Sequence, residues 1–65
     1  MTKEEYRKKV IDAVMCINEC HREEAVEKVN KMEHIIDNNY ACDSQVLPIT
    51  ENDIYDTARE IVYYS

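Results

Sequence analysis

A chain of 65 residues with 45% hydrophobic and 34% charged side chains has the balance of a small folded domain rather than a disordered tail. At this size folding buries only about 60% of the unfolded surface, so the core is thin. The net charge of −6 argues against direct binding to nucleic-acid phosphates, which needs clustered Lys and Arg, and no apolar run approaches the roughly 18 residues of a membrane span.

The charge is unevenly placed. Residues 1 to 31 carry seven acids and seven bases, whereas residues 32 to 65 carry seven acids and only Arg59. The sequence contains no glycine and a single proline, Pro48. Turns with positive φ are cheapest at glycine, so this composition points to an all-α domain. We expect one domain over residues 1–65, built from three helices at about 3–18, 22–37 and 51–63 with a long connection at 38–50.

The first helix opens on Thr2-Lys3-Glu4-Glu5, a capping box in which the Thr2 hydroxyl accepts from the Glu5 amide. Tyr6, Val10, Ala13, Val14 and Ile17 then fall on one helical stripe. A later stripe of Ala25, Val26, Val29, Met32 and Ile36 points roughly 95° away at 3.6 residues per turn. One straight helix would not bury both, so a break is expected within residues 18–24, with Glu23 and Glu24 in the first turn of the second helix. A single bent helix is the alternative.

The second helix is expected to end at Asp37-Asn38-Asn39, since asparagine tolerates the left-handed C-terminal conformation. In the connection after it, Val46 and Leu47 should pack on the core as an extended segment, because residues before proline avoid the helical region. The third helix begins in "PITENDI", with Thr50 as N-cap, Asp53 at the third helical position, and Ile49 and Ile54 as a hydrophobic staple. Its buried stripe is Ile54, Tyr55, Ala58, Ile61 and Val62. The segment "CINECHREEAVEKVNKM", residues 16–32, resembles a single tetratricopeptide-type hairpin, in which "EEA" opens the second helix. An array of that kind requires several stacked units, and the chain has no internal repeat.

Few residues suggest chemistry. Cys16 and Cys20 stand four apart on one face and could hold a metal with His21, His34 or Cys42. The paired Cys-x2-Cys knuckles of structural zinc sites are missing, however. The favoured reading is a turn between helices, with Cys20 at the edge of the core and Cys16 exposed. The odd cysteine count and the lack of a basic-then-apolar leader favour free thiols in the cytoplasm. His34 reads as a surface cation near the end of the second helix. No nucleophile, base and oxyanion site converge, so the expectation is a non-enzyme without cofactor or metal.

Tyr6 and Tyr55 suit the core, while Tyr40, Tyr63 and Tyr64 fall in the connection or off the stripe. Around them lie Asp37, Asp43, Glu51, Asp53, Asp56 and Glu60. Tyrosine is enriched at interfaces, so Tyr40, Asp56, Glu60, Tyr63 and Tyr64 are the candidate contacts with a larger protein partner, one with a basic surface. Ile11, Met15, Val26 and Ile35 on the stripe margins suggest a homodimer. The use of Asn, Ile, Lys, Glu and Tyr is that of an AT-rich bacterial or phage genome. The leading expectation is a small interaction protein that regulates or inhibits its partner. An acidic nucleic-acid mimic and a Cys-based metal or thiol switch are the alternatives.

Overall fold

A computed structural model that describes residues 1–45 and 48–64 contains four helices: α1 (Lys3–Asn18), α2 (Arg22–Lys31), α3 (Glu33–Asp43) and α4 (Glu51–Tyr64). There is no strand among the described residues. None of the described helices is long and apolar enough to cross a membrane. The extended packing expected for Val46 and Leu47 lies outside the described residues.

The start of α1 is the expected cap. Thr2 is extended and its Oγ1 accepts from the Glu5 amide at 3.2 Å. The reciprocal half differs, because the Thr2 hydroxyl donates to the Glu5 carboxylate at 3.4 Å. At the other end the chain turns where the two stripes require it. Glu19 adopts φ 48, ψ 46, and the amides of Glu19 and Cys20 both converge on the Met15 carbonyl. A left-handed residue other than glycine costs about 1–2 kcal/mol, and this chain has no glycine to place there.

The expected second helix, 22–37, is broken at Met32. Met32 has φ −111, ψ 33, and its amide is shared between the Lys28 and Val29 carbonyls at 3.2 and 3.1 Å. Arg7 of α1 holds both sides of this bend: its Nη2 donates to Asn30 and its Nε to Glu33 Oε2 at 3.2 Å. Lys3, one turn earlier, pairs with Asp37, one turn later. Two cations on α1 therefore run antiparallel to two anions on α3, and the Asp37 carboxylate pushes the Lys3 ammonium above the ordinary lysine value.

After the bend, α3 continues through Asp37-Asn38-Asn39, where the sequence suggests an end, and reaches Asp43. Tertiary partners explain the extension. The Asn39 amide donates across to α4, and the Tyr40 ring packs on Tyr6; such contacts override local helix-ending preference. The connection is shortened to residues 44–50. His34 therefore sits in the first turn of α3 rather than near a helix C-terminus.

The cap of α4 is reciprocal. The Asp53 amide donates to Thr50 Oγ1 at 3.4 Å, and the Thr50 amide donates to Asp53 Oδ2 at 3.0 Å. Ile54 is buried and Ile49 packs partly buried against the core.

α1 is the centre of the fold. It packs against every other helix, most extensively against α4 and then α2. Being covered from two sides, it buries an arc wider than one stripe. Tyr6, Val10, Ala13 and Val14 are buried as expected, and Ile11 joins them, while Ile17 at the far end is exposed. Ile35 is likewise buried beside Ile36, because the break at Met32 lets α3 turn both inward. Met15 and Val26 are partly covered by the core. The margin residues that suggested a homodimer are thus largely hidden within one chain.

Candidate functional site

α4 carries a threonine where its stripe is otherwise apolar. Ile54, Thr57, Ala58 and Ile61 occupy positions i, i+3, i+4 and i+7, and all four are buried, Thr57 at 1% exposure. A buried hydroxyl needs partners, and it has them on two other helices. Thr57 Oγ1 lies 2.6 Å from the Tyr6 hydroxyl and accepts from Asn39 Nδ2 at 3.0 Å. Tyr6 in turn donates to Asp43 Oδ2 at 3.2 Å. Since Tyr6 has one proton and gives it to Asp43, the Thr57 proton points to Tyr6. The result is a directional chain, Asn39 to Thr57 to Tyr6 to Asp43, joining α1, α3 and α4.

Burial pushes the Tyr6 phenol up to about 12, against the opposing hydrogen bond from Thr57. Asp43 is also raised above the ordinary carboxylate value, first by burial, with the negative Asp53 and Asp56 adding to it, although the Tyr6 hydrogen bond works the other way. Both perturbations arise within the hydrogen-bonded network that joins α1, α3 and α4.

The five candidate contacts separate. Tyr63 and Tyr64, at the end of α4, are 80% and 61% exposed and stack edge to face with centroids 5.0 Å apart. Glu60 stands one turn before Tyr64 on the same face and accepts from Asn39 Nδ2 at 2.9 Å. Asp56 is exposed and paired with Arg59 at 2.7 Å. Tyr40 is the outlier. It lies half-buried on α3, its ring 5.3 Å from that of Tyr6, and its hydroxyl donates to the Met1 carbonyl. Tyr40 therefore packs against α1, while Glu60, Tyr63 and Tyr64 lie together toward the end of α4.

Beside that end runs a groove of about 460 Å³ between α3 and α4. Met32 and Ile35 supply apolar lining, Asn38 and Asn39 amides, Glu60 a carboxylate, Tyr64 an aromatic ring and His34 an imidazole. The charge asymmetry pointed to this half of the chain. The groove itself was not foreseen, because it depends on the break at Met32 and on the continuation of α3.

The cysteines are free. Cys16 is exposed, Cys20 is at the edge of the core as expected, and Cys42 is exposed. Among the described residues no three His, Cys, Asp or Glu side chains gather in a way that could hold a metal ion. The Cys16 thiol raises the Tyr55 phenol above its ordinary value. Of the acids around these tyrosines, four have partners: Asp37 with Lys3, Asp43 with Tyr6, Asp53 with Thr50, and Asp56 with Arg59. In comparisons with known proteins, no family model, no curated protein and no solved structure matches this chain.

Proposed function

We propose that this chain is a small non-catalytic interaction protein that binds a larger protein and regulates or inhibits it, using the end of α4. The observation that carries the reading is the Tyr63–Tyr64 pair. Two adjacent large rings stand mostly in water, although on the same helix Ile54 and Ile61 are buried and Tyr55 and Val62 are partly covered. Aromatic side chains left in this way give large contact area at low entropy cost, which is the composition of interface centres. Glu60 beside them supplies negative charge suited to a basic partner surface. The three free thiols fit a cytoplasmic setting.

The homodimer has less to rest on, since Ile11 and Ile35 are already buried. The nucleic-acid mimic is weaker too, because Asp37 and Asp56 are neutralised by Lys3 and Arg59. The thiol switch has no observation in its favour beyond free cysteines.

The test is capture of partners from lysate of the natural host by tagged protein, run beside the Tyr63→Ala/Tyr64→Ala variant. Circular dichroism should show both proteins equally helical. A protein retained by the native chain and lost by the variant supports the reading; identical recovery by both removes it.

A further inference from the structure

The groove between α3 and α4 combines three features that suit one kind of side chain. The first is uncompensated charge. Among the described residues Glu60 enters no ion pair; its hydrogen bond comes from Asn39, a neutral amide. The second is an aromatic face one helical turn away, since Tyr64 follows Glu60 by four residues and lies on the same side of α4. The third is apolar lining, since Met32 and Ile35 belong to the same groove.

Arginine answers all three. Its planar guanidinium stacks on an aromatic face and reaches a carboxylate with two parallel donors, while its methylene stem lies along apolar surface. Lysine offers a point charge and no plane. The volume of about 460 Å³ is at the lower end of the roughly 300–1,000 Å³ of ligand pockets, room for one or two side chains rather than a length of folded chain. With Glu33, Asp37 and Asp56 paired to Arg7, Lys3 and Arg59, the Glu60 carboxylate is the charge in this groove that an incoming cation would meet.

We propose that the α3–α4 groove receives an arginine side chain of the partner protein, its guanidinium between the Glu60 carboxylate and the Tyr64 ring. This rests on the reading of α4 as a docking end and names the chemistry of what docks there. Asn39 takes one acceptor site on Glu60 Oε2, which leaves Oε1 and the other lone pair of Oε2 for the two guanidinium donors.

The probe is a blocked Leu-Arg-Leu peptide titrated into isotopically labelled protein and followed by amide chemical shifts. Saturable shifts at Ile35, Asn38, Asn39 and Glu60 are expected. The citrulline version of the peptide, which keeps shape and N–H donors and loses charge, should bind about five- to tenfold more weakly, because a charged donor makes a stronger hydrogen bond to a carboxylate than a neutral one. Glu60→Gln, which keeps an acceptor for Asn39, should lower affinity similarly, and Tyr64→Leu should lower it by about two- to thirtyfold through lost stacking. Equal binding of the arginine and citrulline peptides, shifts elsewhere on the surface, or no saturable shift overturns the proposal. If the lysate partner is lost with Tyr63→Ala/Tyr64→Ala yet retained by Glu60→Gln, the docking end stands and the arginine receptor falls.

Discussion

The hydrogen-bond chain through Thr57 sets up a double-mutant cycle. Thr57→Val is nearly isosteric, so it opens no cavity and its cost is that of hydrogen bonds. Two are lost, from Asn39 and to Tyr6; at about 0.5–1.5 kcal/mol each, the native state should lose about 1–3 kcal/mol. Tyr6→Phe takes away the acceptor of the Thr57 proton at a site 1% exposed, together with the hydrogen bond to Asp43, again at about 1–3 kcal/mol. In the double variant both buried polar groups are gone, and Asn39 and Asp43 lie near enough to the surface to turn to water. Its loss should therefore fall short of the sum of the single losses by at least about 1 kcal/mol. Urea unfolding followed by far-ultraviolet circular dichroism measures all four corners. For a domain of this size about 1 kcal/mol also moves the melting temperature by roughly 4–8 °C. Single variants within about 0.5 kcal/mol of the native chain, or strictly additive losses, would refute the directional chain.

Ionisation of Tyr6 should limit alkaline stability. Its folded pKa is raised, so the stability it contributes is fully present below about pH 10, the ordinary tyrosine value, and is lost as pH rises through about 12. Tyrosinate absorbance should show one residue ionising together with loss of helix, and Tyr6→Phe should abolish that coincidence. Asp43 is raised as well, so its charge opposes folding at neutral pH and stability should increase as pH falls into the carboxylate range. Asp43→Asn should be neutral or stabilising at neutral pH and flatten that dependence; a clear destabilisation would contradict it. Glu19→Gly should gain up to about 1 kcal/mol by relieving the left-handed residue, as a higher urea midpoint. Arg7→Ala should cost about 1 kcal/mol, given the partial exposure of its pairs, and hydrogen exchange should quicken at Met32 and Glu33.

How much of this was legible depended on how local the signal was. The caps at Thr2 and Thr50 are written in three-residue spacings and formed where expected. The turn near Glu19 was visible as a rotation between two apolar stripes, although no glycine marks it. The bend at Met32 carries no such mark: neither Gly nor Pro is present, and the residue that clamps it, Arg7, lies on another helix. The extension of α3 was hidden for the same reason, because Asn39 and Tyr40 hold their helical geometry through partners on α4 and α1 and at Met1. Thr57 was legible and passed over. It completes the i, i+3, i+4, i+7 pattern with Ile54, Ala58 and Ile61, and a polar residue in that slot implies a buried partner. Of the candidate contacts, Tyr63 and Tyr64 could be placed outside the stripe by angle alone, whereas the fate of Tyr40 required the fold.

The packing of α1 chiefly against α4 bears on how the protein is made. On a translating ribosome the first helix emerges with Tyr6, Val10 and Val14 facing nothing, and α2 covers only part of that surface. The remaining lid arrives with the last of the four helices, after Glu51. Until then the nascent chain presents an open greasy face to chaperones and proteases. A product interrupted before Glu51 is thus expected to be cleared rather than to persist as a half-active fragment.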